Sequence, residues 1–216
     1  QARSSQPSLN ALRNVNLKLA PGDRLGLVGA NGSGKTTLLR CLAGAYAPDQ
    51  GYVEVNGRIA ALLDLSMGID PSATGLENIR LRGLVAGLTP TEIKNKIDQI
   101  AEFSGLGPFL AMPMKTYSSG MQARLAFATA TSVEAEVLLM DEWIAVGDAG
   151  FRKQAQERLT SMLERAHILV IASHEPSLIR SICNKVMRMD HGQASEVVDI
   201  AEMDELMARP APGSTL

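Results

Sequence analysis

The segment GANGSGKT, Gly29 to Thr36, constrains this chain more than any other stretch. It matches G-x-x-x-x-G-K-[ST] and sits in the context that pattern requires. A short apolar run, RLGLVGA (24–30), leads into it, and a run of helical spacing, TTLLRCLAGAY (36–46), leaves it. A strand that ends in a glycine-rich turn and opens a helix directs several backbone N–H groups at one phosphate-sized space. Lys35 places a cation on the β- and γ-phosphate oxygens, and the Thr36 hydroxyl is a Mg²⁺ ligand. Such a loop needs a sheet on which to stand, so the rest of the chain should supply strands and helices in alternation.

It does, with one interruption. LRNVNLKLAPGD (12–23) alternates apolar and polar residues up to a Pro-Gly turn and is predicted as a half-buried strand. YVEVNGRIAALLDL (52–65) is predicted as a hairpin, with Asn56-Gly57 in a type I′ turn. LENIRLRGLVAGL (76–88) and PTEIKNKIDQIAEFSGL (90–106) are predicted helices. The second opens with a capping box over Thr89-Pro90-Thr91-Glu92, has Pro at its first position, and aligns Ile93, Ile97, Ile100 and Ala101 on one face. A third helix starts at the Ser/Gly turn of YSSGMQARLAFATA (117–130) and runs to about Ser132. Alternation then resumes. VLLMDE (137–142) is a strand, 149–165 a helix, ILVIASH (168–174) a strand, 176–182 a helix and KVMRMDHGQ (185–193) a strand. IAEMDELMARP (200–210) reads as a short helix before a Pro/Gly/Ser end expected to be disordered. The expected fold is therefore α/β. A P-loop sheet core over about 1–65 and 132–216 carries an antiparallel β subdomain and a helical insert over about 66–131.

Two further strands end in groups suited to phosphate chemistry. Asp141 closes an apolar strand, where it can hold Mg²⁺ through water, and Glu142 follows it at the strand tip, able to polarise an attacking water. His174 ends ILVIASH, in a position to sense a γ-phosphate, whereas His167 and His191 read as surface residues. The turn at Ser118-Ser119-Gly120 offers hydroxyls and backbone N–H groups at a helix start, which is a second anion site in a chain that already has one. A net charge of −2 argues against a nucleic-acid partner. No apolar run reaches the roughly 20 residues of a membrane-spanning helix. Cys41 and Cys183 lie far apart and read as reduced thiols.

Phosphate loop, helical insert, Ser/Gly signature, acidic strand and histidine, in that order, resemble the nucleotide-binding subunit of an ABC transporter over essentially the whole chain. The resemblance implies a RecA-like P-loop core and an ATPase that works as a head-to-tail dimer, each ATP held between the loop of one copy and the signature of the other. It implies ATP binding by Gly29, Asn31, Gly32, Ser33, Gly34, Lys35, Thr36 and Thr37, with Thr36 and Asp141 for Mg²⁺. Lys35, Glu142 and His174 are the implied catalytic residues. Ser118, Ser119 and Gly120 would meet the partner's ATP, and Asp148 would be the D-loop acid that couples the two sites.

The signature departs from the usual Leu-Ser-Gly-Gly-Gln, since Tyr117-Ser118-Ser119-Gly120-Met121 fills that register, and Arg124 keeps the family's basic position. YSSGM with ARLAFA resembles the branch that exports O-antigen, capsule or teichoic acid. AVGDAGF (145–151) and TGLENIRLRG (74–83) also resemble that branch. LLDLSMGIDPSATG lacks the glutamine usual after this strand, so Asp64 is the candidate at that place. Trp143 stands where Pro is common and is expected to pack at the site edge. The family stacks adenine on an aromatic near its N-terminus, but the first aromatic here is Tyr46.

The implied partners are a second copy and integral permease subunits, with no nucleic acid, at the cytoplasmic face of a bacterial inner membrane. DNA-repair relatives carry long coiled coils and ribosomal ones paired domains and basic segments, none of which this sequence shows. The alternatives are an ABC ATPase for another transported substrate and a non-transport ABC ATPase. Since the chain begins at Gln1 and stops at Leu216, upstream residues are expected to have been removed, and the C-terminal carbohydrate-binding domain of some members is expected to be missing.

Overall fold

A computed structural model describes residues 10–65, 68–143 and 149–212. The elements begin with β1 (Arg24–Val28), α1 (Lys35–Leu42), β2 (Ile59–Leu62), α2 (Gly75–Val85), α3 (Pro90–Ser104) and α4 (Ser119–Ala130). They continue with β3 (Val137–Asp141), α5 (Ala149–Arg165), β4 (Ile168–Ala172), α6 (Pro176–Ile182), β5 (Lys185–Asp190), β6 (Gln193–Ala194), β7 (Val198–Asp199) and α7 (Met203–Ala208). The chain divides into two compact units, 1–54 with 170–216, and 55–169, so the boundary falls inside β4.

In the first unit β1 is buried over its last four residues, as a strand covered on both faces must be. It pairs in parallel with β5, Leu25 opposite Lys185 and Val28 opposite Arg188. Gly26 marks where α6 packs, because a Cβ there would sit 2.5 Å from the Ile179 side chain. β5 continues into antiparallel pairings with β6 and β7. The α7 helix buries Met203 and Leu206, and Arg188 ties its end by donating to the Met207 and Arg209 carbonyls at 3.2 and 2.8 Å.

In the second unit β2 pairs in parallel with β3, Ile59 opposite Val137 and Leu62 opposite Met140. The helical part follows the sequence closely. Ile79, Ile100, Leu106, Leu110, Met114 and Leu125 form its core, with Tyr117 bonded by its hydroxyl to the Phe109 carbonyl at 2.6 Å. The capping box of α3 forms, and a second one, Thr74 with Glu77, opens α2. Gly83 lets α2 and α3 touch, since a Cβ there would lie 2.6 Å from Ile93.

Two strand expectations are corrected. Residues 12–23 carry no strand, and no hairpin forms across 52–65, so the antiparallel pairing expected there is absent from these segments. Gly57 does have a positive φ of 116°, but only Ile59–Leu62 becomes a strand, and it pairs in parallel with β3. The physical reason is burial. A two-stranded ribbon is marginal alone, whereas β3 offers an apolar wall to Ala60 and Leu62, which are 3% and 1% exposed. Tyr52, 87% exposed, has no such partner. The Pro/Gly/Ser end lies outside the described residues from 213 onward.

Arg58 joins these parts of the second unit. Its carbonyl accepts from Glu136 and Val137 N–H, its N–H donates to Glu136, and its guanidinium meets Glu92 of the α3 capping box at 3.0 Å. Bonds from Thr89 first, and then from Arg58, lower the Glu92 pKa from 4.5 to about 2. A depressed carboxylate stabilises the fold above its unfolded pKa and ceases to do so as pH falls through its folded one. The thermal midpoint is therefore expected to drop between pH 4.5 and about 2. Glu92→Gln should flatten part of that drop in a pH series of melting curves, and an unchanged slope would remove Glu92 from the account.

Candidate functional site

The phosphate loop is built as its sequence demands. Gly29 leaves β1 at φ 151°, and a Cβ there would sit 2.1 Å from the Met189 carbonyl oxygen. Gly34 caps α1 in the left-handed region with no side-chain cap, and a helix start of this kind directs its first-turn N–H groups at the loop's end. Lys35 is 9% exposed and folds back over the loop, its Nζ donating to the Gly29 and Ala30 carbonyls at 2.8 and 3.0 Å. Ser33 is buried, 3.5 Å from that Nζ, and its carbonyl accepts from Gly192 N–H, which anchors the loop to the turn between β5 and β6. Asn31 and Gly32 are exposed at the tip, and Thr36 and Thr37 are half-buried on the first turn of α1. The loop thus brings together a caged cation, the start of a helix and a half-buried hydroxyl at Thr36.

His174 belongs to the same unit. Ser173 N–H donates to the Leu27 carbonyl at 3.3 Å, so the chain leaves β4 beside the end of β1 where the loop begins. His174 is exposed there. Tyr46, also in this unit, is 48% exposed and bonded through its hydroxyl to Arg40 at 3.1 Å.

The second unit holds the other residues. Asp141, Glu142 and Trp143 are half-buried at the C-terminal end of β3. Glu142 has φ 71°, a left-handed conformation uncommon outside glycine and strained for this residue. That turn takes the backbone off the line of the strand, which strand alternation alone does not foretell. Asp64 is exposed two residues past β2, at the same sheet edge as Asp141, because Leu62 lies opposite Met140.

Sequence reasoning missed the partner of Asp64. Arg82 of α2 donates to the Leu65 carbonyl; burial pulls its pKa down and the Asp64 charge opposes that. The signal was a basic residue spaced along α2 so as to reach the loop after β2.

Ser118, Ser119 and Gly120 are exposed at the start of α4. The Ser118 side chain accepts from Met121 N–H at 3.3 Å, so the hydroxyl is the helix cap. A Cβ on Gly120 would meet only Ser118 Oγ, at 3.9 Å, which leaves close approach open. Arg124 lies 5.4 Å from the Phe151 ring centroid, in the packing of this unit. Asp148 lies outside the described residues.

No group of three or more His, Cys, Asp or Glu side chains is assembled for a metal among the described residues. A hydroxyl at Thr36 and a carboxylate at Asp141 are hard oxygen donors. Each is of the kind that suits Mg²⁺, which keeps waters and phosphate oxygens rather than needing an all-protein cage.

The profile of the ABC transporter family matches residues 12–145. The chain is 43% identical over 191 residues to the O-antigen export system ATP-binding protein RfbE of Yersinia enterocolitica, covering 88% of this chain and 80% of that protein. It is 39% identical over 193 residues to the teichoic acids export ATP-binding protein TagH of Bacillus anthracis, covering 89% of this chain but 35% of that one. Among solved structures, an ATP-binding subunit of an ABC transporter superposes with a TM-score of 0.72 at 20% identity, over 96% of this chain and 92% of that one. A dimeric ATP-binding cassette in a post-hydrolysis state with ADP and Pi gives a TM-score of 0.65 at 20% identity, over 88% and 90%.

Proposed function

The chain belongs to the ABC transporter family, and from that premise we propose that it is the ATPase subunit of an exporter of lipid-linked polysaccharide such as O-antigen. The observation that carries this is the loop with Lys35 caged on the Gly29 and Ala30 carbonyls, in a chain similar to export-system ATP-binding proteins. The working form is a homodimer, with the integral permease as its second partner. No described helix is long and apolar enough to cross a membrane. In this reading the subunit works at the cytoplasmic face of a bacterial inner membrane, held there by the permease.

Each residue has one task in this reading. The glycine backbone of the loop and the α1 N-terminus bind the phosphates, and Lys35 neutralises the β- and γ-oxygens. Thr36 and Asp141 would hold Mg²⁺, whose charge stabilises the oxygens of the transferred phosphoryl group. Glu142 polarises the attacking water, and His174 contacts the γ-phosphate. Ser118, Ser119 and Gly120 offer the α4 N-terminus to the ATP of the partner copy. Asp64, compensated by Arg82, stands at the place of the missing glutamine. Asp148 is assigned to the coupling turn. The helical segment, about 66–131, carries the permease contact.

Lys35→Ala tests the reading. Removing a charged donor to phosphate is expected to weaken ATP binding by about 10- to 100-fold, measured by calorimetry. In cells carrying the permease, surface polymer should vanish. Unchanged ATP affinity together with normal export would overturn the assignment.

A further inference from the structure

The second unit contains an open cleft of about 760 Å³ lined by none of the residues assigned to the nucleotide, the metal or the signature. Ala60, Glu136 and Leu138 place it where β2 and β3 begin, whereas Asp64, Asp141 and Glu142 leave the other end of those strands. Its walls are α3, through Lys96, Gln99 and Phe103, and α5. The volume falls within the range of roughly 300–1,000 Å³ typical of small-molecule sites.

The chemistry of the cleft is set by α5. Gln154, Arg158, Ser161 and Arg165 line it, at spacings of four, three and four residues, which puts them on one helix face. Arg158 is half-buried, its guanidinium 4.4 Å from the Phe103 ring centroid and its Nε donating to the Thr131 carbonyl at 3.4 Å. Arg165, two turns on, folds back towards it, donating from Nε to the Ser161 carbonyl at 3.1 Å and from Nη2 to Ser161 Oγ at 2.7 Å. Burial first, and the Arg165 charge second, pull the Arg158 pKa below its usual value.

Neither guanidinium has a carboxylate within ion-pair distance among the described residues, and their remaining N–H groups find no protein acceptor there. The acids of the cleft are mostly engaged elsewhere. Glu134 pairs with Lys96 at 3.8 Å, and Glu136 accepts from the Arg58 N–H at 2.6 Å; Glu157 is exposed. A partly desolvated guanidinium facing a second one, without a counter-ion, is an unfavourable arrangement that an oxyanion relieves. Guanidinium and phosphate oxygens are well matched in geometry.

We propose that this cleft binds a phosphorylated small molecule, its phosphate held between Arg158 and Arg165. The space exceeds one phosphate, and Phe103, Ala60 and Leu138 supply apolar wall for an organic group, so a phosphate ester is favoured over free phosphate. Gln99, Gln154 and the Ser161 hydroxyl add polar contacts of the kind a sugar would use. The inference does not depend on the assignment of the phosphate loop.

The test is a backbone-amide NMR titration of the full chain with inorganic phosphate and, separately, with a hexose phosphate. Loop amides at 29–37 act as an internal control in the same spectra. Amides at 131–136 and around Arg158 and Arg165 should shift with both compounds and saturate at lower hexose phosphate concentration. Arg165→Gln, at an exposed position, should weaken the cleft response by about 10- to 100-fold while the loop response persists. Arg158→Lys should do the same with the charge retained, because the planar fork is lost. Cleft amides that stay still, or that shift equally in both variants, would overturn the proposal. Saturation at equal concentrations would overturn the preference for an ester.

Discussion

Glu142→Gln is expected to lower the maximal rate of ATP hydrolysis by about 10²- to 10⁴-fold and to leave ATP affinity nearly unchanged. The amide has the carboxylate's size but cannot accept a proton from an attacking water. Phosphate binding is assigned to the loop, where Lys35 is held by the Gly29 and Ala30 carbonyls, and the substitution removes none of its groups. It also leaves Asp141, one residue earlier on β3, to its own task. The backbone at position 142 is left-handed, φ 71°, and Gln meets the same strain there as Glu, so the turn should survive. Single-turnover hydrolysis and equilibrium ATP binding, measured separately, check both halves. An undiminished rate would move the base elsewhere. A rate loss with an equal loss of affinity would make Glu142 a binding residue instead.

The strained conformation of Glu142 shows where sequence reading stops. That β3 ends in two acids was legible, because VLLMDE is an apolar strand with a polar tip. How the chain turns there was not, since a left-handed glutamate opposes local preference and is held in place by surrounding structure. Most helices were legible to within a few residues because period and caps agree, although α1 ends at Leu42, short of the 36–46 that its spacing suggested. Thr89 and Glu92 announce α3, and the left-handed Gly105 closes it.

The strands at 12–23 and 52–56 were misread for the opposite reason. Alternation is a weak signal when the partner is unknown, and β2 found a better apolar partner in β3 than a hairpin could supply. The surroundings of Asp64 were half-legible. Its place after β2 followed from the motif order, but its charge relation to Arg82 joins two elements that only folding brings together. The cleft at Arg158 was not legible at all. Its arginines are ordinary members of a polar helix face until Phe103 and Thr131 are packed against Arg158.

The second large effect is expected at the signature. In the Glu142→Gln protein, Mg-ATP should drive sedimentation from monomer to dimer and ADP should not, because in the proposed function the γ-phosphate is the charge that joins the copies. Adding Ser118→Arg should abolish that association. Ser118 is exposed at the head of α4, its side chain capping Met121 N–H, with Gly120 beside it and open to close approach. Arginine fills the approach and removes the cap. Losing the cap costs about 1 kcal/mol, too little to unfold a domain of this size. Ser118→Ala separates the two causes, since it removes the hydroxyl and the cap without filling the space. It should weaken the dimer less than Ser118→Arg does. Circular dichroism of both variants, with ATP binding retained, establishes that the fold and the phosphate loop are intact. A protein that binds ATP yet stays monomeric before any change at Ser118 would reject the shared site, and the exposed turn at 118–120 would then need another anion.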